Sequence, residues 1–275
     1  MNRLQTLRAR GKRRLPSFGI NVIFDLDGVL WHGNQPIPGA AAAVSRLIAA
    51  GHHVLFATNN SAAPLAEQEA KLASHGVDAT GRVISSASAA GSMVQKHDRV
   101  YVMGGAGIVE AIEAQGAISV PLTPIDAGPP EVDAVMVGLD LELSYDRMRM
   151  AVAAIRNGAR FIATNHDPTY PSEHGLLPGG GSIVSGVAAA SETTPVYAGK
   201  PNQPMADLAI ARLGSEGLMI GDRPDSDGEF ARRAGYRFAL VLSGVTTAAE
   251  AATLDPPPDL IAADVITLLA SEFGV

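Results

Sequence analysis

The chain has 275 residues, no cysteine, 47% hydrophobic and 18% charged residues, and 28 acidic against 21 basic side chains. These figures exclude a disordered chain, a disulfide framework, thiolate metal sites and a cysteine nucleophile, and the lack of cysteine fits a reducing cytoplasm. No window holds ~18 uninterrupted apolar residues, so neither a transmembrane helix nor a membrane partner is expected.

Residues 1–19 carry six Lys/Arg and no acid, and the remaining body has 15 basic against 28 acidic residues. No apolar h-region follows the basic stretch, so it does not read as a secretory signal. A disordered basic arm is expected, with an organellar transit peptide or a nucleic-acid contact as the alternatives. The acidic body argues against a nucleic-acid partner.

The first apolar run, NVIFDL (21–26), is predicted to be a strand, and it leads into FDLDGVLWHG (24–33). Asp25 and Asp27 stand there two residues apart, ahead of Gly28. Asp-Gly suits a turn. A calcium loop is excluded, because Pro36 stands where its closing Glu belongs. An ionised Asp is also a competent nucleophile toward phosphorus when a cation screens the charge, and Gly28 would let an oxyanion approach the backbone. Next, AAAAVSRLIAA (40–50) sets Val44, Leu47 and Ile48 at helical spacing, with Gly51 to stop it. The strand HVLFAT (53–58) ends in Thr58-Asn59-Asn60-Ser61. Those hydroxyls and amides either cap the helix that Pro64 opens or bind phosphate oxygens beside its N-terminus.

Further strands are predicted at RVYVMG (99–104), DAVMVG (133–138), RFIATN (160–165), PVYAG (195–199), LMIGD (218–222) and FALVLSG (238–244). MGGAGIVEAI (103–112) imitates a dinucleotide loop but has Glu110 where the third glycine belongs. Around 117–131 the chain turns loop-rich, residues 132–165 form another β–α–β pattern, and 165–182 is dense in Gly, Pro and His. Lys200 stands between Gly199 and Pro201, either as a solvated loop lysine or as a fixed positive charge for a phosphoryl group. In GDRPDSDGEF (221–230), Asp222 ends a strand and Asp225, Asp227 and Glu229 follow, as surface acids or as oxygen ligands of a hard cation. LDPPPDL (254–260) is a rigid connector to a final strand and helix.

Apolar runs of consecutive residues alternating with helical stretches argue an α/β fold, a Rossmann-like doubly wound parallel sheet with a second α/β element inserted. Ligands of such sheets bind outside the carboxyl ends of the strands. Asp25, Thr58, Lys200 and Asp222 all fall at or just after such ends.

FDLDGVLWHG, TNNS, ATNHDP, LLPGGGS, YAGKP, GDRPDSD and LSGV, in this order over most of the chain, resemble the haloacid dehalogenase superfamily of phosphatases. The likeness is greatest to its NagD-like, 4-nitrophenylphosphatase branch. It implies a core formed by residues 1–97 and 180–275 and an inserted cap at 98–179, which closes over the site and reads the leaving group. It implies an Mg2+-dependent phosphatase of small phosphorylated metabolites. Asp25 would be the nucleophile that becomes an aspartyl-phosphate, and Asp27 the general acid and base. Thr58 would bind the phosphoryl group, with Gly28 and Asn59 close by, and Lys200 would neutralise charge. Mg2+ would be held by Asp25, the Asp27 backbone carbonyl and Asp222, with Asp227 orienting the metal's waters or the lysine. Gly228-Glu229 depart from the aliphatic residue usual after that second acid, so Asp225 and Asp227 both stay open for the role. In the loop 163–175, Asn165, His166 and Asp167, with Tyr170 and His174, are the residues expected to meet substrate. A homodimer through the cap is allowed by fold analogy alone. The competing readings are a phospho-accepting signalling module and a non-catalytic phosphometabolite binder. The first is disfavoured because Asp27 would have no use there, the second because all four motif positions are intact.

Overall fold

Val22, Ile23 and Phe24, like Leu218, Met219 and Ile220, are fully buried over consecutive positions, so their strands are covered on both faces. This explains why the sequence shows unbroken apolar runs instead of alternation. The computed structural model describes residues 7–8, 19–124, 128, 130–172 and 175–275. Most of the basic arm, 1–6 and 9–18, and His174 lie outside the described residues.

The chain divides into two units. One is built from the described residues of Met1–Ala57, from Gln68–Ile84 and from Ala206–Val275; the other from Thr58–Glu67 and Ser85–Met205. The stretch 98–179 falls inside the second. No helix among the described residues is long and apolar enough to cross a membrane.

The first unit holds a seven-stranded sheet in the order Leu7–Arg8, Leu260–Ala262, Arg237–Val241, Leu218–Gly221, Asn21–Phe24, His53–Thr58, Val83–Ser85. The pairs from Leu260–Ala262 to His53–Thr58 are parallel, and Leu7–Arg8 adds antiparallel at one edge. The order reverses where Asn21–Phe24 lies beside Leu218–Gly221. That is the switch point at which doubly wound sheets leave a crevice. The helix Ala40–Ala49 buries Ala40, Ala43, Val44 and Leu47. Gly51, at φ 88°, ends it, its N–H donating to the Ile48 carbonyl at 3.0 Å.

The second unit has its own five-stranded sheet, ordered Val196–Tyr197, Arg160–Ala163, Ala134–Val137, Arg99–Met103, Ile118–Val120, parallel throughout. Its core joins Tyr101, Val135 and Phe161 to Met150, Ala154 and Ile155 of the helix Tyr145–Arg156 and to Val184 and Val187 of the helix Gly180–Ser191. Two short hairpins not expected from sequence complete the picture, Trp31–His32 with Gln35–Pro36 in the first unit and Thr169–Ser172 with Gly175–Pro178 in the second.

Candidate active site

In the first unit, Ile220 lies opposite Phe24 and the Asp25 N–H donates to the Ile220 carbonyl at 2.9 Å. Asp25 and Asp222 therefore leave the sheet side by side at the switch point. Carboxylate oxygens of Asp25, Asp222 and Asp227 lie within 4.8 Å of one another. Asp227 is fully buried and Asp222 is 2% exposed, whereas Asp225 is exposed. The chain achieves this with a π-helical turn over Pro224–Gly228, in which the N–H groups of Ser226, Asp227 and Gly228 all point at the Arg223 carbonyl. Asp227 then turns back: its Oδ2 accepts from the N–H groups of Asp222 at 3.2 Å and Arg223 at 3.1 Å. Of the two acids left open by sequence, geometry brings Asp227 to Asp222 and leaves Asp225 out.

Asp222 is held from three sides. Its Oδ2 accepts from the Val245 N–H at 2.8 Å, and its carbonyl accepts from Thr246 Oγ1 at 2.6 Å. Gly28, at φ 76°, and Gly244 press against the same carboxylate so closely that a Cβ on either would collide with it. Ser243 Oγ ties the segment across to the Gly28 carbonyl at 2.7 Å. LSGV is thus a brace for Asp222. Ser243, Gly244 and Thr246 were missed as site residues, although small residues right after a sheet strand were the signal.

Asp27 is half-buried and its backbone forms an isolated bridge with Trp31. Lys71 was also missed. Its Nζ donates to the Gly33 carbonyl at 2.9 Å and lies 4.3 Å from the Trp31 ring centre, over its face. Burial lowers the Lys71 pKa, against the opposing charge of Asp27.

In the second unit, Thr58, Asn165 and Lys200 are buried, at 4%, 4% and 2% exposure. Thr58 Oγ1 accepts from the Asn60 N–H at 3.1 Å. Asn59 gathers the loop 164–167 and the segment 199–200: its Nδ2 donates to Asp167 Oδ2 at 2.8 Å and to the Lys200 carbonyl at 3.0 Å. Its own carbonyl accepts from Asn165 Nδ2 at 2.8 Å and Ser86 Oγ at 2.7 Å. His166 is exposed and meets Tyr197 edge-on at 5.7 Å; burial raises the Tyr197 pKa. Tyr170 is half-buried in the hairpin strand Thr169–Ser172.

LLPGGGS is explained by the same loop. The Gly181 N–H donates to the Asp167 carbonyl at 2.9 Å and Ser182 Oγ to the Pro168 carbonyl at 2.6 Å. A Cβ at Gly179 or Gly181 would strike the backbone of 166–169. The helix opened by Pro64 departs from expectation, because the Leu65 N–H donates to Glu110 Oε2 at 2.9 Å. A carboxylate of the chain itself occupies part of the positive helix end proposed for phosphate.

Comparison with known proteins agrees with this geometry. A family model described as haloacid dehalogenase-like hydrolase matches residues 22–118, and a HAD-hydrolase-like model matches 197–268. The 5'-nucleotidase YutF of Bacillus subtilis is 38% identical over 231 residues, 82% of this chain and 87% of its own. The chain belongs to the haloacid dehalogenase-like hydrolase family. Two solved members extend the likeness. Glycerol phosphate phosphatase Rv1692 from Mycobacterium tuberculosis, in complex with magnesium, superimposes with TM-score 0.82 at 34% identity, covering 91% of this chain and 76% of that one. NagD from Escherichia coli K-12 gives TM-score 0.80 at 28% identity, over 90% and 98%. This member of the family is a hydrolase of the NagD-like phosphatases.

The donor set fits a hard divalent cation. Three carboxylates converge, all hard oxygen ligands, and no cysteine exists in the chain to favour a softer metal. The two glycines against Asp222 leave no Cβ to crowd the cluster.

Proposed function

We propose that this phosphatase hydrolyses small phosphomonoesters with Mg2+ through an aspartyl-phosphate on Asp25. The observation that carries the reading is the convergence of Asp25, Asp222 and Asp227 within 4.8 Å at the sheet's switch point. Asp25 and Asp222, with the Asp27 backbone carbonyl, would hold the ion, and Asp227 would orient its waters. The bound cation supplies screening between anionic substrate and anionic nucleophile.

A carboxylate oxygen of Asp25 attacks phosphorus, and the bond from phosphorus to the ester oxygen breaks with its electron pair going to that oxygen. Asp27, protonated, delivers the proton the alkoxide needs. In the second half, water attacks phosphorus, Asp27 takes its proton, and the bond from phosphorus to Asp25 breaks, restoring the carboxylate. Thr58 donates to phosphoryl oxygens, the Gly28 and Asn59 backbones approach them, and Lys200 supplies positive charge. The insert at about 98–179 serves as the cap that reads the leaving group, with His166 exposed in its loop. Lack of cysteine supports a cytoplasmic setting.

The relatives' names point to different phosphomonoesters, a nucleotide and glycerol phosphate. These, with phosphoglycolate, pyridoxal phosphate and 4-nitrophenyl phosphate, form the panel to test. Phosphate release is measured with Mg2+ and with EDTA, for wild type and Asp25→Asn. Turnover that needs Mg2+ and disappears in the variant is expected. Equal turnover in the variant would overturn the reading.

A further inference from the structure

Asn59 follows the phosphate-binding Thr58, and its side chain is the obvious second ligand for a phosphoryl group. Its hydrogen bonds leave no proton for that. An amide nitrogen has two, and here one goes to Asp167 Oδ2 at 2.8 Å and the other to the Lys200 carbonyl at 3.0 Å. Both partners are acceptors, which fixes the orientation of the amide. The other end, Oδ1, is a buried acceptor against Gly199, where a Cβ would lie 2.6 Å from it. An anionic phosphoryl group has nothing to gain from it.

We propose that the side chains of Asn59 and Asp167 position Lys200: together they fix the main chain that aims the lysine, and neither side chain touches substrate. The assignment rests on the reading of Lys200 as the charge-neutralising group. The surroundings are built for it. Asp167 is itself held, its N–H donating to Asn165 Oδ1 at 3.1 Å and its carbonyl accepting from Gly181. Asn165 Nδ2 and Ser86 Oγ clamp the Asn59 carbonyl from two further segments. The Gly199 N–H donates to the Thr164 carbonyl at 2.7 Å, so the lysine's segment is bound directly to the strand end that carries the loop. Lys200 is 2% exposed, and a buried ammonium displaced by a fraction of an ångström loses most of its value to a transition state.

The assignment separates from a substrate-reading role by which replacement of Asp167 is tolerated. An amide at 167 still offers Asn59 an acceptor; alanine does not. With Mg2+, on 4-nitrophenyl phosphate, glycerol phosphate and a nucleoside monophosphate, Asp167→Ala should lower kcat by about tenfold on all three with their ranking unchanged. Asp167→Asn should stay within about threefold of wild type. Asn59→Asp turns both donors into acceptors facing acceptors and should fall furthest. Adding Asp167→Asn to it returns a donor to the pair and should recover part of the loss. Melting temperatures distinguish lost fold from lost positioning; if Asp167→Ala does not fold, the Asn59→Asp pair decides. A reordered ranking in Asp167→Ala, Asp167→Asn as damaging as alanine, or no recovery in the double variant would overturn the proposal. Absence of any Mg2+-dependent turnover in wild type would instead overturn the phosphatase reading, and the assignment with it.

Discussion

Gly28 carries two constraints at once: a φ of 76°, and a Cβ position inside the space of the Asp222 carboxylate. Gly28→Ala should therefore displace a metal ligand and lower kcat/KM by about a hundredfold or more. Gly19→Ala is the control, with φ 66° but nothing within 4 Å, so it should cost stability and leave kcat intact. The acids after Asp222 give a second contrast. Asp227→Asn should weaken Mg2+ binding by about tenfold or more, while Asp225→Asn, exposed and outside the cluster, should leave a calorimetric titration unchanged. The sequence named both acids and could not separate them. The choice depends on a π turn whose extra residue shifts which carboxylate faces inward, and a loop of alternating acids carries no sign of that shift. Lys71 was illegible for a similar reason, since only the folded hairpin brings Trp31 and Gly33 to it.

At the scale of elements, every strand predicted from a consecutive apolar run is present, from Asn21–Phe24 to Arg237–Val241. Burial on both faces writes itself into such runs. The strands that were not anticipated are two to four residues long, as in Trp31–His32, Val83–Ser85 and Thr169–Ser172, too short to leave a run in the sequence, and their pairing is decided by tertiary contact. The glycines of MGGAGIVEAI, set aside as a nucleotide loop, are required by packing. A Cβ on Gly105 or Gly107 would run into the backbone of Ala62 or Ala63 where the helix Ala106–Glu113 begins. His52 makes the start of the strand His53–Thr58 sensitive to pH. It is 5% exposed, packs edge-on against Phe273 at 5.0 Å, and burial, then the charge of His53, lowers its pKa below 6.5. A depressed histidine contributes stability that is present above 6.5 and lost as pH falls through its folded value. The melting temperature should drop on acidification below about pH 6.5, and His52→Gln should flatten that slope. An unchanged slope would show that other groups dominate.

For the whole molecule, the decisive feature is a strand order that reverses between Asn21–Phe24 and Leu218–Gly221, with an acid emerging from each. The family was legible because ordered motifs fall at strand ends; the braces from Ser243, Gly244 and Thr246 and the tie through Asn59 were not, because they arise from loops meeting in space. The central claim is that Asp25 is the nucleophile, and it is tested most directly by trapping its product. Asp27→Asn lacks the acid–base group, but 4-nitrophenolate is a good enough leaving group to depart without protonation, while the water of the second half-reaction has lost its base. This variant, mixed with 4-nitrophenyl phosphate and Mg2+, quenched in acid and mapped by peptide mass spectrometry, should carry one phosphoryl group on the peptide containing Asp25 and release a stoichiometric burst of nitrophenol. A burst with the phosphoryl group on another residue, or steady turnover with no phosphorylated peptide, would contradict the account.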